Sequence, residues 1–228
     1  MVGTQTEFLF GRSAVGHELA AMQQFTPPDL ALELAKFGLA GHAAAPRLVL
    51  DPACGDGVLL EAAGRLLGTR TKLVGIEVDP ALAIRARKRV PRAKILEGDA
   101  IFDFTLEADC VLMNPPFGGT ATIGRVFGHE YRKRLGALNP HAKGPVDLAA
   151  FFLHHFAQIV SPGGTMSIIA PNTLAQGATR RAGLKPLLAK GWSIYRATRS
   201  APWPGRAKVS VCIVHLHNGD WTRGCTLL

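Results

Sequence analysis

Four short apolar runs, each ending in a polar side chain, constrain the fold of this chain more than any other feature of its sequence. They are residues 47–51 ending in Asp51, 72–77 ending in Glu77, 95–99 ending in Asp99 and 110–114 ending in Asn114. Stretches with the pattern of helices follow the first two runs, and alternating strands and helices predict a parallel sheet. The carboxyl ends of parallel strands meet at one edge, where ligands bind in open α/β sheets. We therefore expect an α/β fold that brings these four side chains close together.

Length and composition indicate one well-buried domain spanning residues 1–228. The chain is 47% hydrophobic and 19% charged, which is typical of globular proteins. No apolar stretch reaches the roughly 20 residues that a membrane helix needs, and the N-terminus lacks the pattern of a signal peptide. The four cysteines are far apart, which argues against a disulfide framework and against a zinc site. We expect a cytoplasmic protein with no metal and no membrane partner.

Charge is divided unevenly along the chain. Residues 1–110 contain 12 Lys and Arg against 14 Asp and Glu, whereas residues 111–228 contain 14 Lys and Arg against three acids, Glu130, Asp147 and Asp220. The two parts therefore carry formal charges of −2 and +11. A basic part favours a polyanionic partner such as nucleic acid. A solvated basic face without a partner is the alternative.

The fourth apolar run leads into Asn114, Pro115, Pro116 and Phe117, which suit the methylation of a planar exocyclic amine. The strand must end here because neither proline can donate to a sheet ladder. The nitrogen of such an amine is a poor nucleophile, since its lone pair is delocalised. The Asn114 oxygen and the Pro115 carbonyl can each accept one N–H and free that lone pair, while Phe117 stacks on the ring. A proline-rich turn after a core strand is the alternative interpretation.

The first apolar run leads into a glycine loop, residues 51–57, with the sequence DPACGDG. A strand, a glycine loop and a helix in succession are typical of sites where a nucleotide-like ligand meets the backbone. Gly55 and Gly57 allow close approach of the main chain. The carboxylates of Asp51 and Asp56 would repel a pyrophosphate, but they suit a ligand with ammonium and sulfonium charges, such as S-adenosylmethionine.

The second and third runs supply two further acids to the predicted site. Glu77 follows the glycine loop by about 20 residues, the spacing at which an acid accepts both ribose hydroxyls. Asp99 is placed to accept a hydrogen bond from the N6 amine of an adenine, and Ile76 and Val78 could flank that ring. An ordinary surface turn is the alternative for either acid alone.

Residues 1–45 form a predicted N-terminal helical segment. Thr26 is expected to cap a helix with Pro27 in its first turn, and apolar residues then continue to Gly38.

Two features downstream of Phe117 suggest contacts with a substrate. Residues 118–145 are rich in glycine and basic residues and predict a long loop, which is usually functional or disordered. We interpret it as a contact for nucleic-acid backbone through side chains such as Arg125 and Lys133. Strands at 193–198 and 209–217 predict an antiparallel hairpin with an exposed Trp203 between them; a surface turn is the alternative for this tryptophan.

The order of these motifs resembles that of the N6-adenine DNA methyltransferases, in the gamma arrangement that places T-P-P before the glycine loop. The matching motifs are TPP at 26–28, DPACGDG at 51–57, GIEVD at 75–79, GD at 98–99 and NPPF at 114–117. The resemblance implies a Rossmann-like, seven-stranded, mostly parallel sheet with an antiparallel last strand. It also implies S-adenosylmethionine as the cofactor.

The resemblance further implies a role for each matched residue. Asn114, Pro115, Pro116 and Phe117 would form the catalytic motif, with Phe117 stacked on a flipped adenine and Trp203 as the second wall of the base site. Thr26 and the glycine loop would hold the methionine part of the cofactor. The full implied cofactor set is Thr26, Asp51, Ala53, Gly55, Gly57, Glu77, Val78, Asp99, Ala100 and Asn114.

The expected activity is therefore S-adenosylmethionine-dependent methylation of adenine N6 in DNA. Three alternatives stay open: an RNA amino-methyltransferase, a protein-glutamine methyltransferase, which usually has Tyr at the position of Phe117, and a non-catalytic nucleic-acid-binding subunit. Unlike the DNA methyltransferases, the chain shows no separate target-recognition domain. We expect the basic segment, a specificity subunit or a missing downstream segment to supply recognition.

Overall fold

The computed structural model describes residues 22, 24–42, 44–203 and 210–228, which form one mixed sheet with helices on both faces. The strands are β1 (Leu48–Asp51), β2 (Lys72–Glu77), β3 (Lys94–Glu97), β4 (Ala108–Met113), β5 (Val160–Pro171), β6 (Trp192–Pro202), β7 (Ser210–Asn218) and β8 (Thr226–Leu227). Their order across the sheet is β3-β2-β1-β4-β5-β7-β6-β8.

The sheet is parallel from β3 to β5 and antiparallel where β7 lies between β5 and β6. The predicted mostly parallel sheet with an antiparallel late strand is thus confirmed. The short strand β8 pairs in parallel with β6 and was not predicted. Its two residues carry too little sequence pattern to be recognised as a strand.

Eight α-helices lie in the described part of the chain, together with a 3₁₀ helix at Asn172–Ala175. They are α1 (Pro28–Ala40), α2 (Val58–Leu66), α3 (Pro80–Arg89), α4 (Thr120–Val126), α5 (His129–Leu138), α6 (Leu148–Phe156), α7 (Gly177–Ala182) and α8 (Leu184–Ala189). None of the described helices is long and apolar enough to cross a membrane.

Two hydrophobic cores lie on opposite faces of the sheet because successive strand residues point to opposite sides. Cys110 and Leu112 of β4 join a core with helices α1, α2 and α3. Val111 and Met113 of the same strand join the larger core with α4 to α8. All four side chains are fully buried, so β4 is clamped on both faces and presents Asn114 from a rigid support.

Helix α1 approaches the sheet very closely at its C-terminal end. A Cβ atom on Gly38 would lie 2.6 Å from Leu112 Cδ2, so no larger residue fits without displacement. The predicted cap of this helix is wrong: Pro27 is the N-cap residue, and the helix has no side-chain cap. The Thr26 hydroxyl instead accepts a hydrogen bond from Asn114 Nδ2.

The predicted long loop at residues 118–145 is also wrong, since α4 and α5 occupy most of it. Ile123 and Val126 of α4 and Leu135 of α5 are buried in the larger core. Because this segment is rich in glycine and basic residues, the few apolar residues at helical spacing did not indicate helices. Its exposed basic residues are Arg125, Arg132, Lys133 and Lys143, whereas Arg134 lies over the Phe102 ring.

Candidate active site

A cavity opens at the carboxyl ends of β1, β2 and β4, where the sequence predicted the site. It contains about 760 Å³ of atom-free space, part of it open to solvent. Its lining includes Gln24, Phe25, Ala53, Gly55, Glu77, Val78, Asp99, Ala100, Asn114, Pro116, Phe127, Tyr131, Leu148 and Phe152. A smaller recess beside it is lined by Thr26 and Asp51 as well.

Asp51, the last residue of β1, is the most deeply buried acid of the site, with 1% of its surface exposed. Its Oδ1 atom accepts a hydrogen bond from the Ala53 N–H at 3.2 Å. Its Oδ2 atom is buried and has no hydrogen-bond partner among the described residues. Burial raises the pKa of Asp51 well above its usual range, and the nearby Glu77 adds to this effect. Such a group suits a cationic ligand, which would restore the ionised form.

The two predicted loop glycines have different roles. Gly55 lines the cavity, and its N–H donates to Glu77 Oε2 at 2.7 Å. Gly57 adopts φ 90° at the start of α2, and a Cβ there would lie 3.2 Å from the Ala86 Cα. Gly57 therefore shapes the turn and the packing of α2 against α3 but does not line the cavity. Its assignment as a cofactor contact stays a prediction.

Glu77 ends β2 and is held by two backbone donors. Its Oε2 atom accepts from the Gly55 N–H, and its Oε1 atom accepts from the Asp79 N–H at 2.9 Å. Each oxygen keeps a second lone pair with which to accept from a ligand. Burial raises the pKa of Glu77, against the effect of these two N–H groups. The side chain of Val78 lies beside it in the lining.

Asp99 follows β3 and is tied to a segment that the sequence did not assign to the site. Its Oδ1 atom accepts from the Ile101 N–H at 2.8 Å, and its Oδ2 atom accepts from the Tyr131 hydroxyl at 2.8 Å. Burial raises the pKa of this carboxyl, against the effect of Tyr131. The Tyr131 ring stacks on Phe127, with centroids 4.7 Å apart. Phe127 lies between α4 and α5 and Tyr131 lies in α5, so no helical spacing in the sequence pairs the two rings.

Asn114 follows β4 directly and is fixed by the N-terminal segment. Its Nδ2 group donates to the Gln24 carbonyl at 2.6 Å and to Thr26 Oγ1 at 2.9 Å. A carbonyl can only accept, so the amide must present its nitrogen to Gln24 and its oxygen in the opposite direction. The Oδ1 atom is buried and has no partner among the described residues. Gln24 was not predicted, because a backbone acceptor leaves no trace in side-chain identity.

Phe117 and Trp203 meet, but the tryptophan is not exposed as expected. Its exposure is 5%, and its ring packs edge to face on Phe117, with centroids 6.0 Å apart. Within the described residues neither ring lines the main cavity, whereas Pro116 does and Pro115 is buried. The turn at 204–209, part of the predicted hairpin, lies outside the described residues.

A backbone distortion in β6 precedes Trp203. The pairing register with β7 shifts between Thr198 and Ala201, and Ser200 between them has φ 56°. This is the one non-glycine positive φ in the described ranges. Asn172 holds Ser200 by two hydrogen bonds, one to the hydroxyl and one from the Ser200 N–H. The distortion redirects the end of β6 that carries Trp203.

Arg125 and Lys133 lie on the exposed surfaces of α4 and α5. They follow the cavity residue Asn114 in the sequence, but they do not line the cavity. Their predicted contact with a substrate stays a prediction.

The residues present fit a cationic nucleoside cofactor. Three buried side-chain polar atoms lack a partner in the described part of the chain, and two of them, Asp51 Oδ2 and Asn114 Oδ1, lie at this site. Such atoms are costly unless a ligand satisfies them. Asp51, Glu77 and Asp99 supply acceptors in a row along one edge, and Val78, Phe127 and Phe152 supply apolar walls for a ring.

The sheet order and the position of the cavity define a class I S-adenosylmethionine-dependent methyltransferase fold. The structure resembles that of the type I restriction enzyme EcoKI M protein, with a TM-score of 0.64 and 17% identity, over 90% of this chain and 47% of that one. The sequence matches the N-6 DNA methylase family over residues 1–190, and the chain belongs to that family.

Two curated relatives are type II methyltransferases. M.TthHB8I of Thermus thermophilus is 31% identical over 71% of this chain and 36% of its own length. M.BanIII of Aneurinibacillus aneurinilyticus is 28% identical over 75% of this chain and 33% of its own length. The chain thus spans about a third of the length of these relatives.

Proposed function

We propose that this chain catalyses the S-adenosylmethionine-dependent methylation of adenine N6 in DNA. The observation that carries the proposal is the buried, unpartnered Oδ1 atom of Asn114, fixed in orientation at the carboxyl end of β4. Membership of the N-6 DNA methylase family favours DNA adenine over the RNA, protein-glutamine and non-catalytic alternatives.

Asn114 activates the target amine by accepting one of its N–H groups at Oδ1, and the Pro115 carbonyl accepts the other. Two acceptors favour a tetrahedral nitrogen, whose lone pair is free to attack. The contacts to Gln24 and Thr26 hold the amide before the substrate arrives, so little reorganisation is needed during the reaction. Catalysis is then mainly positioning.

The adenine reaches this position only when it is flipped out of the duplex, because its amine is buried in the base stack. Phe117, the last residue of the N-P-P-F motif, is half-buried and is the proposed stacking partner. Trp203 and Phe117 pack in a T-shaped arrangement, so Trp203 supports that ring as the structure stands. A sandwich of the base between the two aromatics would require them to separate.

The cofactor supplies an electrophilic methyl group, which the amine takes as the sulfonium becomes a thioether and an amine proton leaves to water. Asp51 and Thr26 are proposed to hold its methionine part, since Thr26 accepts from Asn114 and keeps its own hydroxyl hydrogen to donate. Glu77 is proposed to accept from the ribose hydroxyls. Asp99, with Val78 and Ala100 beside it, is proposed to bind the adenine.

The names of the type II relatives suggest a restriction–modification setting. The proposed partners are DNA and a specificity subunit.

The test is the transfer of labelled methyl groups to duplex DNA, single-stranded DNA, RNA and a protein extract. The proposal expects label in DNA, as N6-methyladenine, and its loss in Asn114→Ala. Asn114→Asp should be inactive as well, because an aspartate cannot donate to the Gln24 carbonyl. Asn218→Ala is the matched control. The Asn218 side chain also donates to a backbone carbonyl, that of Val160 at the start of β5, and it does not line the cavity. Label in RNA or protein alone would contradict the proposal.

A further inference from the structure

A basic groove lies on the flank of the molecule, separate from the cavity described above. It contains about 790 Å³ of atom-free space, part of it open to solvent. One wall is the connection between α5 and α6, with His141 and Lys143. The other wall is formed by α7 and α8, with Arg181 and Lys185.

Both walls are held in place by hydrogen bonds at the ends of the connection. Asn139, which is 1% exposed, donates from Nδ2 to the Ala182 carbonyl at 3.1 Å. At the other end the Asp147 N–H donates to Thr179 Oγ1 at 3.1 Å. Each contact joins the connection to α7. The groove therefore exists before any partner binds, which lowers the conformational cost of binding.

The cations of the groove are uncompensated. Lys143, Arg181 and Lys185 form no ion pair in the described ranges. The sequence from 148 to 219 contains no acid at all. The nearest acid along the chain, Asp147, is buried, and its Oδ1 atom accepts from the Ala149 N–H. Three unpaired cations on two facing walls are a binding arrangement for a chain of anions.

The groove is connected directly to the segment that follows Phe117. The Leu148 N–H donates to the Gly118 carbonyl at 2.8 Å, and Gly119 forms a β-bridge with Asp147. Asp147 and Leu148, which follow the groove wall, thus lie next to Gly118 and Gly119, which follow the N-P-P-F motif. A polyanion held in the groove would be fixed relative to the base site.

We propose that this groove binds the phosphodiester backbone of the DNA substrate through Lys143, Arg181 and Lys185. The proposal rests on the proposed function and extends it from the base pocket to a separate phosphate site. The concave shape, with cations on both walls, fits a single backbone strand better than a flat anionic surface.

The test compares two triple variants with equal charge changes. The groove variant is Lys143→Gln, Arg181→Gln, Lys185→Gln. The control is Arg70→Gln, Arg85→Gln, Lys88→Gln, whose side chains are exposed and form no ion pair in the described residues. Arg85 and Lys88 lie on α3, which packs on the opposite face of the sheet. Both variants lower the formal charge from +9 by three, so a general charge effect cancels.

Affinity for a short fluorescent duplex is measured by anisotropy from about 50 to about 200 mM salt. Each lost phosphate contact lowers the slope of log affinity against log salt by about 0.9. For the groove variant this slope should be smaller in magnitude by up to about 2.7. Its affinity near 0.1 M salt should fall by roughly 100-fold or more. The control should keep the slope of the unmodified protein. Cofactor affinity and thermal stability should be unchanged in both.

Equal slopes in the two variants would overturn the proposal, and if the unmodified protein still methylates DNA, the proposed function survives that failure. A groove-dependent slope with RNA but none with DNA would overturn the assignment to DNA. Binding to neither nucleic acid would overturn it as well. Methylation that fails with Asn114 intact, while the groove-dependent slope on DNA remains, would count against the proposed function alone.

Discussion

The two sides of the site, before and after Asn114, use charge in opposite ways. On the cofactor side, Asp51, Glu77 and Asp99 face the cavity, and each accepts at least one backbone N–H while keeping capacity for a ligand. On the target side the buried acid is Asp147, which caps α6 and does not line the cavity. The acids on the first side are proposed to bind a ligand, whereas Asp147 serves the fold, and Lys143, Arg181 and Lys185 form no ion pair among the described residues.

The largest effect that would sharpen this contrast is expected for Asp51→Asn. The neutral side chain can still accept from the Ala53 N–H, but it cannot offer a charge to a cationic cofactor. A charge-assisted hydrogen bond is worth about 1.5–3 kcal/mol, so cofactor affinity should fall roughly 100-fold by calorimetry. Asp109→Asn is the control, because Asp109 contacts Arg47 at the opposite end of β4. Equal cofactor affinities in Asp51→Asn and Asp109→Asn would show that the charge of Asp51 has no special role in binding the cofactor.

The next effect concerns pH and Asp147. Burial raises its pKa from 3.8 to about 6, against the N–H groups of Ala149 and Gly118. The folded state therefore binds the proton more tightly than the unfolded state, and this contribution to stability is lost as pH rises through about 6. Asp147→Asn keeps a hydrogen-bond acceptor and cannot titrate in this way.

The difference in unfolding free energy between Asp147→Asn and the unmodified protein should therefore change with pH. From below pH 3.8 to above about pH 6, the variant should gain about 2–3 kcal/mol relative to the parent. Urea titrations at several pH values measure this difference. A difference in unfolding free energy that does not change with pH would show that Asp147 destabilises the folded state no more than an exposed acid does.

A smaller effect is expected from Tyr131→Phe, which removes the donor to Asp99 Oδ2. A hydrogen bond to a carboxylate contributes about 1.5–3 kcal/mol. Because Tyr131 acts on the cofactor only through Asp99, we expect about half of that in cofactor affinity, a fall of roughly five- to tenfold. The loss should grow as pH is lowered, because Asp99 then protonates more readily. Tyr195→Phe provides the matched control, since its hydroxyl donates to the Phe37 carbonyl. A similar loss of affinity in the control would contradict a direct role for Tyr131.

The smallest effect is expected for Ser200→Gly on the target side, with Ser200→Val as its contrast. Glycine adopts positive φ without strain, so Ser200→Gly should change the unfolding free energy by less than about 1 kcal/mol. Ser200→Val should destabilise the protein by about 1–3 kcal/mol, because a β-branched residue resists this conformation. Chemical denaturation measures both. Equal effects of Gly and Val would mean that the backbone relaxes and Trp203 is not held by this distortion.

The cofactor side was largely predictable from sequence, because each acid follows a strand and the strands are parallel. Position along the chain then determines position in the sheet for Asp51, Glu77 and Asn114. Trp203 and Thr26 were harder, since exposure and hydrogen-bond partners depend on packing between distant segments. The same is true of Tyr131, which reaches Asp99 only because residues 118–145 fold as helices.

The close contact of α1 with the sheet has a consequence for genetics. Gly38 determines the distance of the helix from Leu112. The helix transmits that distance over about 15 Å to its first residue, Pro28, and so to Thr26 and Asn114. A larger residue at position 38 would tilt helix α1 and displace Thr26, which accepts a hydrogen bond from the Asn114 amide. In a random screen for loss of methylation, substitutions at Gly38 should therefore be recovered beside those at Asn114, although the glycine contacts no substrate.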